Sequence, residues 1–224
     1  MDSGPRDGAA GPPLPTLAQR LVAEALGTTS LIVAVIGSGI MASRLSPTGV
    51  GLQLLENAAA TAGALIGLIL MFGPVSGAHF NPVVTLVKRL FGSISTRDGA
   101  LYAIAQTVGG CVGAIVANVM FSLPAVNIST HRRSIGALWL SEVVATIGLL
   151  LVIHGCVRSG RASAVPYAVG AWIGGAYWLR LRPASPTRRS PWPVPCRIRS
   201  PASPHRRPRC SWRCSCSARS RRTG

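Results

Sequence analysis

Five long apolar stretches with very few charges constrain the fold of this chain more than any other feature. They are Leu21–Met41, Ala58–Phe72 with its flank Leu52–Asn57, Ala100–Phe121, Ile135–Cys156 and Val165–Leu181. A helix of about 20 apolar residues crosses the hydrocarbon core of a bilayer. Helices with so little polar surface could not form the exterior of a soluble protein. The sequence therefore predicts an all-α integral membrane protein with five membrane spans.

The positive charge of the chain is concentrated in its last part. The formal net charge of the whole chain is +17, and Leu179–Gly224 holds thirteen Arg with no Lys, Asp or Glu. Residues 1–178 hold ten basic and six acidic residues. We therefore predict three regions: a disordered N-terminal tail (1–16), a membrane domain (17–178) and a disordered tail rich in Arg, Pro, Ser and Cys (179–224). The cysteines of the last region lack the spacing of a zinc site, and no metal or cofactor is predicted.

One segment between the apolar stretches is too short to cross a membrane. It runs from Asn81 to Leu90 and opens with Asn followed by Pro82. Asn is a favoured N-cap residue, and Pro suits the first helical turn because it lacks an amide hydrogen. The pattern predicts a re-entrant half-helix whose positive end points into a cavity at mid-membrane. Such an end repels cations and offers hydrogen bonds to neutral solutes.

Three segments resemble those of a known family. Ser76–Thr85 resembles the first Asn-Pro-Ala box of the aquaporin, or major intrinsic protein, family. Ala23–Thr28 is similar to the opening of that family's first helix, and Ser141-Glu142 to its counterpart in the second half. The resemblance covers about residues 17–178. It implies an aquaporin-like bundle of six tilted helices and two half-helices, usually assembled as a tetramer of separate pores. It also implies a passive channel and not an enzyme.

The resemblance implies roles for individual residues of the first box. Asn81 would donate a hydrogen bond to the passing solute, and Pro82 and Val83 are the other two residues of the box. Val83 stands where the family usually has Ala, and the larger side chain puts the fine selectivity of the pore in doubt.

Two acidic residues lie at equivalent places near the start of each half of the bundle. Aligning Glu24 with Glu142 gives a weak internal repeat, as in the inverted halves of many transport proteins. The resemblance implies that both are buried acceptors that brace re-entrant loops; the alternative is simple polarity inside the bundle. A carboxylate within a membrane needs some partner on either interpretation. His79 is interpreted as a loop brace and not as a ligand or base.

The family's second box and sixth helix are missing from the sequence as written. The residues of Pro183–Trp192 are compatible with codons that, read from the third base, encode Ser-Phe-Ala-Asn-Pro-Ala-Val-Thr-Val. That is the expected second box. We therefore hypothesise a frameshift near Trp178–Leu181. On this hypothesis the chain is truncated with respect to the family and does not conduct as written.

Two small residues mark the predicted mouth of the pore. By the family's usual spacing, Thr61 is the residue that the second long helix contributes to the mouth, and Gly175 is the residue that the fifth contributes. The restored box has Val at a place where many family members carry Arg. The alternative is that both are ordinary helix-packing residues. On the functional interpretation the mouth is wide and uncharged. It would suit glycerol-like solutes or metalloid hydroxides as well as water.

Orientation and partners complete the prediction. Most Lys and Arg residues near helix ends fall on one side of the membrane, which predicts a cytoplasmic N-terminus in a bacterial plasma membrane. Those on that side are Arg6, Arg20, Lys88, Arg89, Arg97, Arg158 and Arg161, against Arg44, Arg132 and Arg133 on the other. The predicted partners are the bilayer, a small neutral solute and, if the chain is intact, three further copies, without nucleic acid. The alternative is a membrane-anchored adaptor whose basic tail binds anionic lipid or nucleic acid.

Overall fold

A computed structural model describes residues 13–126 and 136–179. Their long elements are α1 (Leu17–Leu45), α2 (Val50–Ser76), α3 (Pro82–Leu90), α4 (Thr96–Met120), α5 (Gly136–Arg158) and α6 (Val165–Leu179), with a short 3-10 turn at Ala162–Ala164. Every regular element in these ranges is helical, which confirms the predicted all-α class. The predicted basic tail, the restored second box and most of the predicted N-terminal tail lie outside the described residues.

Four helices are long and apolar enough to cross a membrane within the described ranges. They are α1, α2, α4 and the Trp139–Arg158 part of α5. The fifth predicted span corresponds to α6, which has 15 described residues and a length of about 22 Å. The described residues therefore support four of the five predicted spans, and the fifth stays a prediction.

The ends of α1 and α3 are set by local side chains. Thr16 and Gln19 form a reciprocal capping box at the start of α1. Asn81 is the N-cap of α3 and Pro82 its first residue, which confirms the short helix predicted from this pair. With nine residues, α3 is about 13 Å long and cannot span a bilayer.

Helix α1 packs between α2 and α4, while α6 packs between α2 and α5, and α3 packs against α4. A buried apolar cluster joins α2, α3, α5 and α6; its members are Leu65, Leu68, Phe80, Val84, Leu149 and Val169. Because Phe80 and Val84 belong to this cluster, the short helix and the loop before it are anchored inside the bundle.

Helices α1 and α4 approach each other closely at two glycines. A Cβ atom added at Gly109 would collide with the backbone of Ala25, and one added at Gly113 with the carbonyl oxygen of Thr29. The Thr29 hydroxyl donates a hydrogen bond of 2.9 Å to the Gly109 carbonyl oxygen across this contact. Small residues at four-residue spacing permit such contacts between membrane helices.

Replacing Gly113 with valine is expected to push α1 and α4 apart and to destabilise the protein by about 1–3 kcal/mol, the usual cost of overpacking. A thermal-unfolding measurement in detergent tests this. Gly110→Val on the same helix is the matched control, because a Cβ there meets no atom within 4 Å. An equal loss of thermal stability in the two variants would contradict the tight contact.

Candidate solute pathway

The loop between α2 and α3 has an unusual backbone. Gly77 has φ 87°, Ala78 φ 48° and Phe80 φ 46°. Left-handed conformations are costly for residues with a Cβ, so interactions with the rest of the bundle must hold Ala78 and Phe80 in place.

The carboxylate of Glu24 on α1 holds this loop. Glu24 is fully buried. Its Oε1 accepts hydrogen bonds from the Ser76 hydroxyl at 2.7 Å and the His79 amide at 2.9 Å. Its Oε2 accepts from the Phe80 amide and from the Gln106 side chain, both at 2.8 Å. One side chain of α1 therefore connects the end of α2, the loop and α4.

Two further residues of this network, Gln106 and Tyr102 on α4, were not predicted from the sequence. The Gln106 Nε2 also donates to the Thr85 hydroxyl at 3.1 Å, which links Glu24 to α3. The Tyr102 hydroxyl donates to the Ser76 carbonyl oxygen at 2.9 Å and accepts from the Arg20 Nε at 2.8 Å. Gln106 could have been found from the sequence, because it is an amide side chain in the middle of an apolar stretch. Polar groups in membrane helices need partners.

His79 lies beside the same network. Its Nδ1 is 3.1 Å from the Thr85 hydroxyl, and its ring lies against that of Tyr102. In the ranges that the structure describes, no three His, Cys, Asp or Glu side chains lie close enough to hold a metal ion. The His79 ring therefore contacts both α3 and α4.

The oxygen and the nitrogen of the Asn81 side-chain amide have different surroundings. Its Oδ1 accepts a hydrogen bond of 2.8 Å from the Val83 amide and so caps α3. Asn81 also lines the cavity described below. The oxygen is engaged by the helix, and the two Nδ2 hydrogens are the donors of this side chain beside the cavity.

The backbone of the loop offers acceptors. The His79 and Phe80 amides point to Glu24, and in a trans peptide the carbonyl points away from the amide hydrogen. The carbonyl oxygens of Ala78 and His79 therefore face away from Glu24. Both residues line the cavity.

A cavity of about 730 Å³ runs beside the loop. Its walls come from α1, α2, α3, α5 and α6 and are largely apolar, with polar side chains at six positions: Thr61, His79, Asn81, Lys88, Ser163 and Tyr177. Along α6 its lining extends from Val165 to Tyr177, a rise of about 18 Å over twelve residues. An elongated apolar cavity with a few polar groups suits the passage or binding of a small neutral molecule.

The two predicted mouth residues have different surroundings. Thr61 is buried and lines the cavity, and its hydroxyl is 2.8 Å from that of Tyr177. Gly175 is exposed on α6 and is absent from the cavity lining. Two residues along a helix differ by about 200° in direction, so the helix that points Tyr177 into the cavity points Gly175 away.

Glu142 lies on α5 and is exposed, in contrast to the buried Glu24. Its expected partner, the loop of a second box, falls outside the described residues.

Comparison with known proteins agrees with this architecture. A model of the major intrinsic protein family matches residues 14–181. Aquaglyceroporin AqpS of Rhizobium meliloti (strain 1021) is 48% identical over 163 residues, 73% of this chain and 69% of that protein. Aquaporin NIP1-4 of Oryza sativa subsp. japonica is 30% identical over 180 residues, 76% of this chain and 61% of that protein. Aquaporin TIP1-1 of Arabidopsis thaliana is 29% identical over 169 residues, 71% of this chain and 67% of that protein.

The matched part spans between 61% and 69% of the length of these three relatives. The helical bundle, the half-helix and the family match together define a multi-pass membrane protein. The chain belongs to the major intrinsic protein family.

Proposed function

We propose that the chain, with its reading frame restored, forms a passive channel for water and small neutral solutes of the glycerol type. The observation that carries the proposal is the position of Asn81. Its amide oxygen caps α3 and its amide nitrogen remains available in an elongated, mostly apolar cavity. The name of the rhizobial relative, an aquaglyceroporin, favours glycerol among the neutral solutes. Metalloid hydroxides, which are neutral and carry hydroxyl groups, belong to the same chemical class.

In the proposed mechanism a solute exchanges its hydrogen bonds to water for hydrogen bonds to the loop. The carbonyl oxygens of Ala78 and His79 accept from its hydroxyls, and Asn81 donates to its oxygen. The positive end of α3 raises the energy of a cation at the same place. Glu24 and His79 act as positioning residues that hold the loop, and we propose the same role for Glu142 towards a second loop.

We also propose that the reading frame changes near Trp178–Leu181. The family match extends to residue 181, where the sequence becomes rich in Arg and Pro. Resequencing the gene tests this proposal. Codons for Pro183–Trp192 that cannot encode a second Asn-Pro-Ala box in another frame would contradict it.

The assembly and orientation proposed for the channel are a homotetramer in a bacterial plasma membrane with a cytoplasmic N-terminus. The rhizobial source of one relative supports the bacterial membrane. Chemical cross-linking in native membranes tests the tetramer, which would be contradicted by a limiting product smaller than four chains.

Light-scattering measurements on proteoliposomes test the channel directly. The chain as written and a frame-restored version are compared with empty liposomes under gradients of water and glycerol. We expect the frame-restored version to raise both permeabilities well above those of empty liposomes. No increase from either form, together with salt-sensitive binding of the chain to anionic liposomes or nucleic acid, would instead favour the adaptor.

A further inference from the structure

A lysine on the cavity wall has no negatively charged partner. Lys88 lies in the last turn of α3, is half-buried and lines the cavity. Among the described residues of the lining it is the one Lys or Arg, and none of them is Asp or Glu. Its ammonium group forms no ion pair with any carboxylate in the part of the chain that the structure describes. The mechanism proposed above does not use this charge.

Lys88 lies at the end of the cavity that adjoins the end of α5. The ring of Phe91, which follows α3, packs against the ring of His154 near the end of α5, with 5.0 Å between the ring centroids. Val157 of α5 and Ser163 of the turn before α6 also line the cavity at this end. Ser163 is exposed, so the cavity reaches the surface of the bundle here. We call the part of the cavity formed by Lys88, Val157 and Ser163 the Lys88 entrance.

The four described carboxylates do not compensate Lys88. Those of Glu56 and Glu142 lie near the starts of α2 and α5, at the ends of these helices that are remote from the Lys88 entrance. Glu24 already accepts four hydrogen bonds. The carboxylate of Asp98 lies 3.8 Å from an arginine of α1. The negative end of the α3 dipole carries about half a charge and offsets Lys88 only in part.

A half-buried ammonium group beside apolar walls favours an anion. Removing a charge from water is costly unless it is paired, and a mostly apolar cavity strengthens its attraction to an opposite charge. Arg158 and Arg161, exposed at the end of α5 and just after it, add positive charge around the entrance. The Ser163 hydroxyl is a hydrogen-bond donor on the same wall. Ammonium and hydroxyl donors are the groups that bind carboxylates and phosphates.

We propose that the Lys88 entrance is a binding site for small anions that carry a phosphate or carboxylate group, and that a bound anion obstructs the solute pathway. The inference rests on the proposed channel function and adds a second class of ligand to the same cavity. The ammonium group of Lys88 pairs with the anion, and the Ser163 hydroxyl donates to it. Neutral solutes then enter only while the site is empty, so the anion concentration on this side of the membrane sets the fraction of open channels.

Labelling of Ala162→Cys tests the site without requiring conduction. Ala162 lines the cavity beside Ser163. The native cysteines are changed to serine, and the chain as written and its frame-restored version are each held in a phosphate-free detergent. The reaction with a small uncharged thiol reagent is followed at constant ionic strength, set with a salt whose anion is too large for the cavity. We expect about 50 mM inorganic phosphate to slow the reaction about threefold or more, the mass-action result for a dissociation constant of about 25 mM or below.

Three further variants show whether the protection depends on Lys88. Lys88→Gln should abolish it, whereas Lys88→Arg, which keeps the charge, should retain it. The matched control is Arg89→Gln, which removes a charge from the next residue, exposed and outside the cavity lining. Because every variant carries the same tail, the comparison cancels the charge of the tail. Equal protection in Lys88→Gln and Arg89→Gln, or no protection in the parent, would overturn the site.

The same labelling distinguishes a soluble anion from a lipid headgroup, since both can supply a phosphate group. Protection by inorganic phosphate in lipid-free micelles supports the soluble anion. Protection that appears only when phosphatidylglycerol is added, and not with inorganic phosphate, would overturn the soluble anion and assign the phosphate group to a lipid.

Flux measurements separate failure of this inference from failure of the channel. In frame-restored proteoliposomes that conduct glycerol, about 50 mM inorganic phosphate on both sides should lower glycerol permeability about threefold or more in the parent and in Arg89→Gln, but not in Lys88→Gln. Protection from labelling without glycerol conduction in any form would support the anion site and contradict the channel. Glycerol conduction that phosphate does not lower would overturn the proposed obstruction and leave the channel function intact.

Discussion

Replacing Glu24 with leucine in the frame-restored version is expected to abolish conduction and to lower the stability of the protein strongly. The variant removes the acceptor of four hydrogen bonds, from Ser76, His79, Phe80 and Gln106. A buried donor left without a partner costs about 1–3 kcal/mol. Even with partial rearrangement, the loss should exceed about 3 kcal/mol, because two of the donors are backbone amides that cannot turn to water. Thermal unfolding in detergent and solute flux in proteoliposomes measure the two effects.

The matched control for this variant is Ser30→Leu, which introduces the same residue at an exposed position of α1. It should unfold and conduct as the parent does. The role of Glu24 would be contradicted if Glu24→Leu unfolded within about 2 °C of the control, because a loss above about 3 kcal/mol should lower the melting temperature of a domain of this size by about 6 °C or more.

Changing Asn81 to aspartate in the frame-restored version is expected to reduce solute permeability about 10-fold or more without unfolding α3. Aspartate caps a helix as well as asparagine does, so the bond to the Val83 amide survives. The variant loses the amide donor and gains a negative charge at the positive end of α3. The Asn81 amide donates to the solute, so its loss should raise the barrier to permeation by about 1–3 kcal/mol. That increase slows permeation by up to about 100-fold. The new charge should also let cations enter, which a flux assay with a cation-sensitive dye detects.

Asn118→Asp provides the same chemical change away from the cavity, near the end of α4. It should leave both permeabilities unaltered. If Asn81→Asp conducted water and glycerol like this control and admitted no cations, Asn81 would not contact the solute.

The start of α3 could be predicted from the sequence, whereas the hydrogen-bond network around Glu24 could be predicted only in part. The Asn-Pro pair predicts the start of α3 because capping depends on a few adjacent residues. The resemblance to the family implied the bracing role of Glu24, and an acid in an apolar helix needs some partner in any case. Gln106 was missed because its contacts to Glu24 and Thr85 depend on the way that α4 packs against α1 and α3.

The wall of the cavity was harder to predict. Counting residues placed Gly175 at the mouth, whereas the rotation of α6 brings Tyr177 to Thr61. That rotation follows from packing of Gly170 against Ile66 and Ala62 of α2, a contact between residues far apart in the chain. Spacing along one helix gives the angle between two residues but not which of them faces a neighbouring helix.

The depth and direction of α3 in the bilayer test the account most directly. Spin labels are attached to Val83→Cys, at the start of α3, and to Ser93→Cys and Thr48→Cys, in the turns after α3 and α1. Their accessibility to oxygen and to a polar nickel complex reports their depth. A re-entrant half-helix places the label at Val83 near the bilayer centre and the labels at Ser93 and Thr48 in water on opposite sides. A label at Val83 at headgroup depth, or Ser93 and Thr48 on the same side, would contradict a half-helix that enters the membrane and turns back.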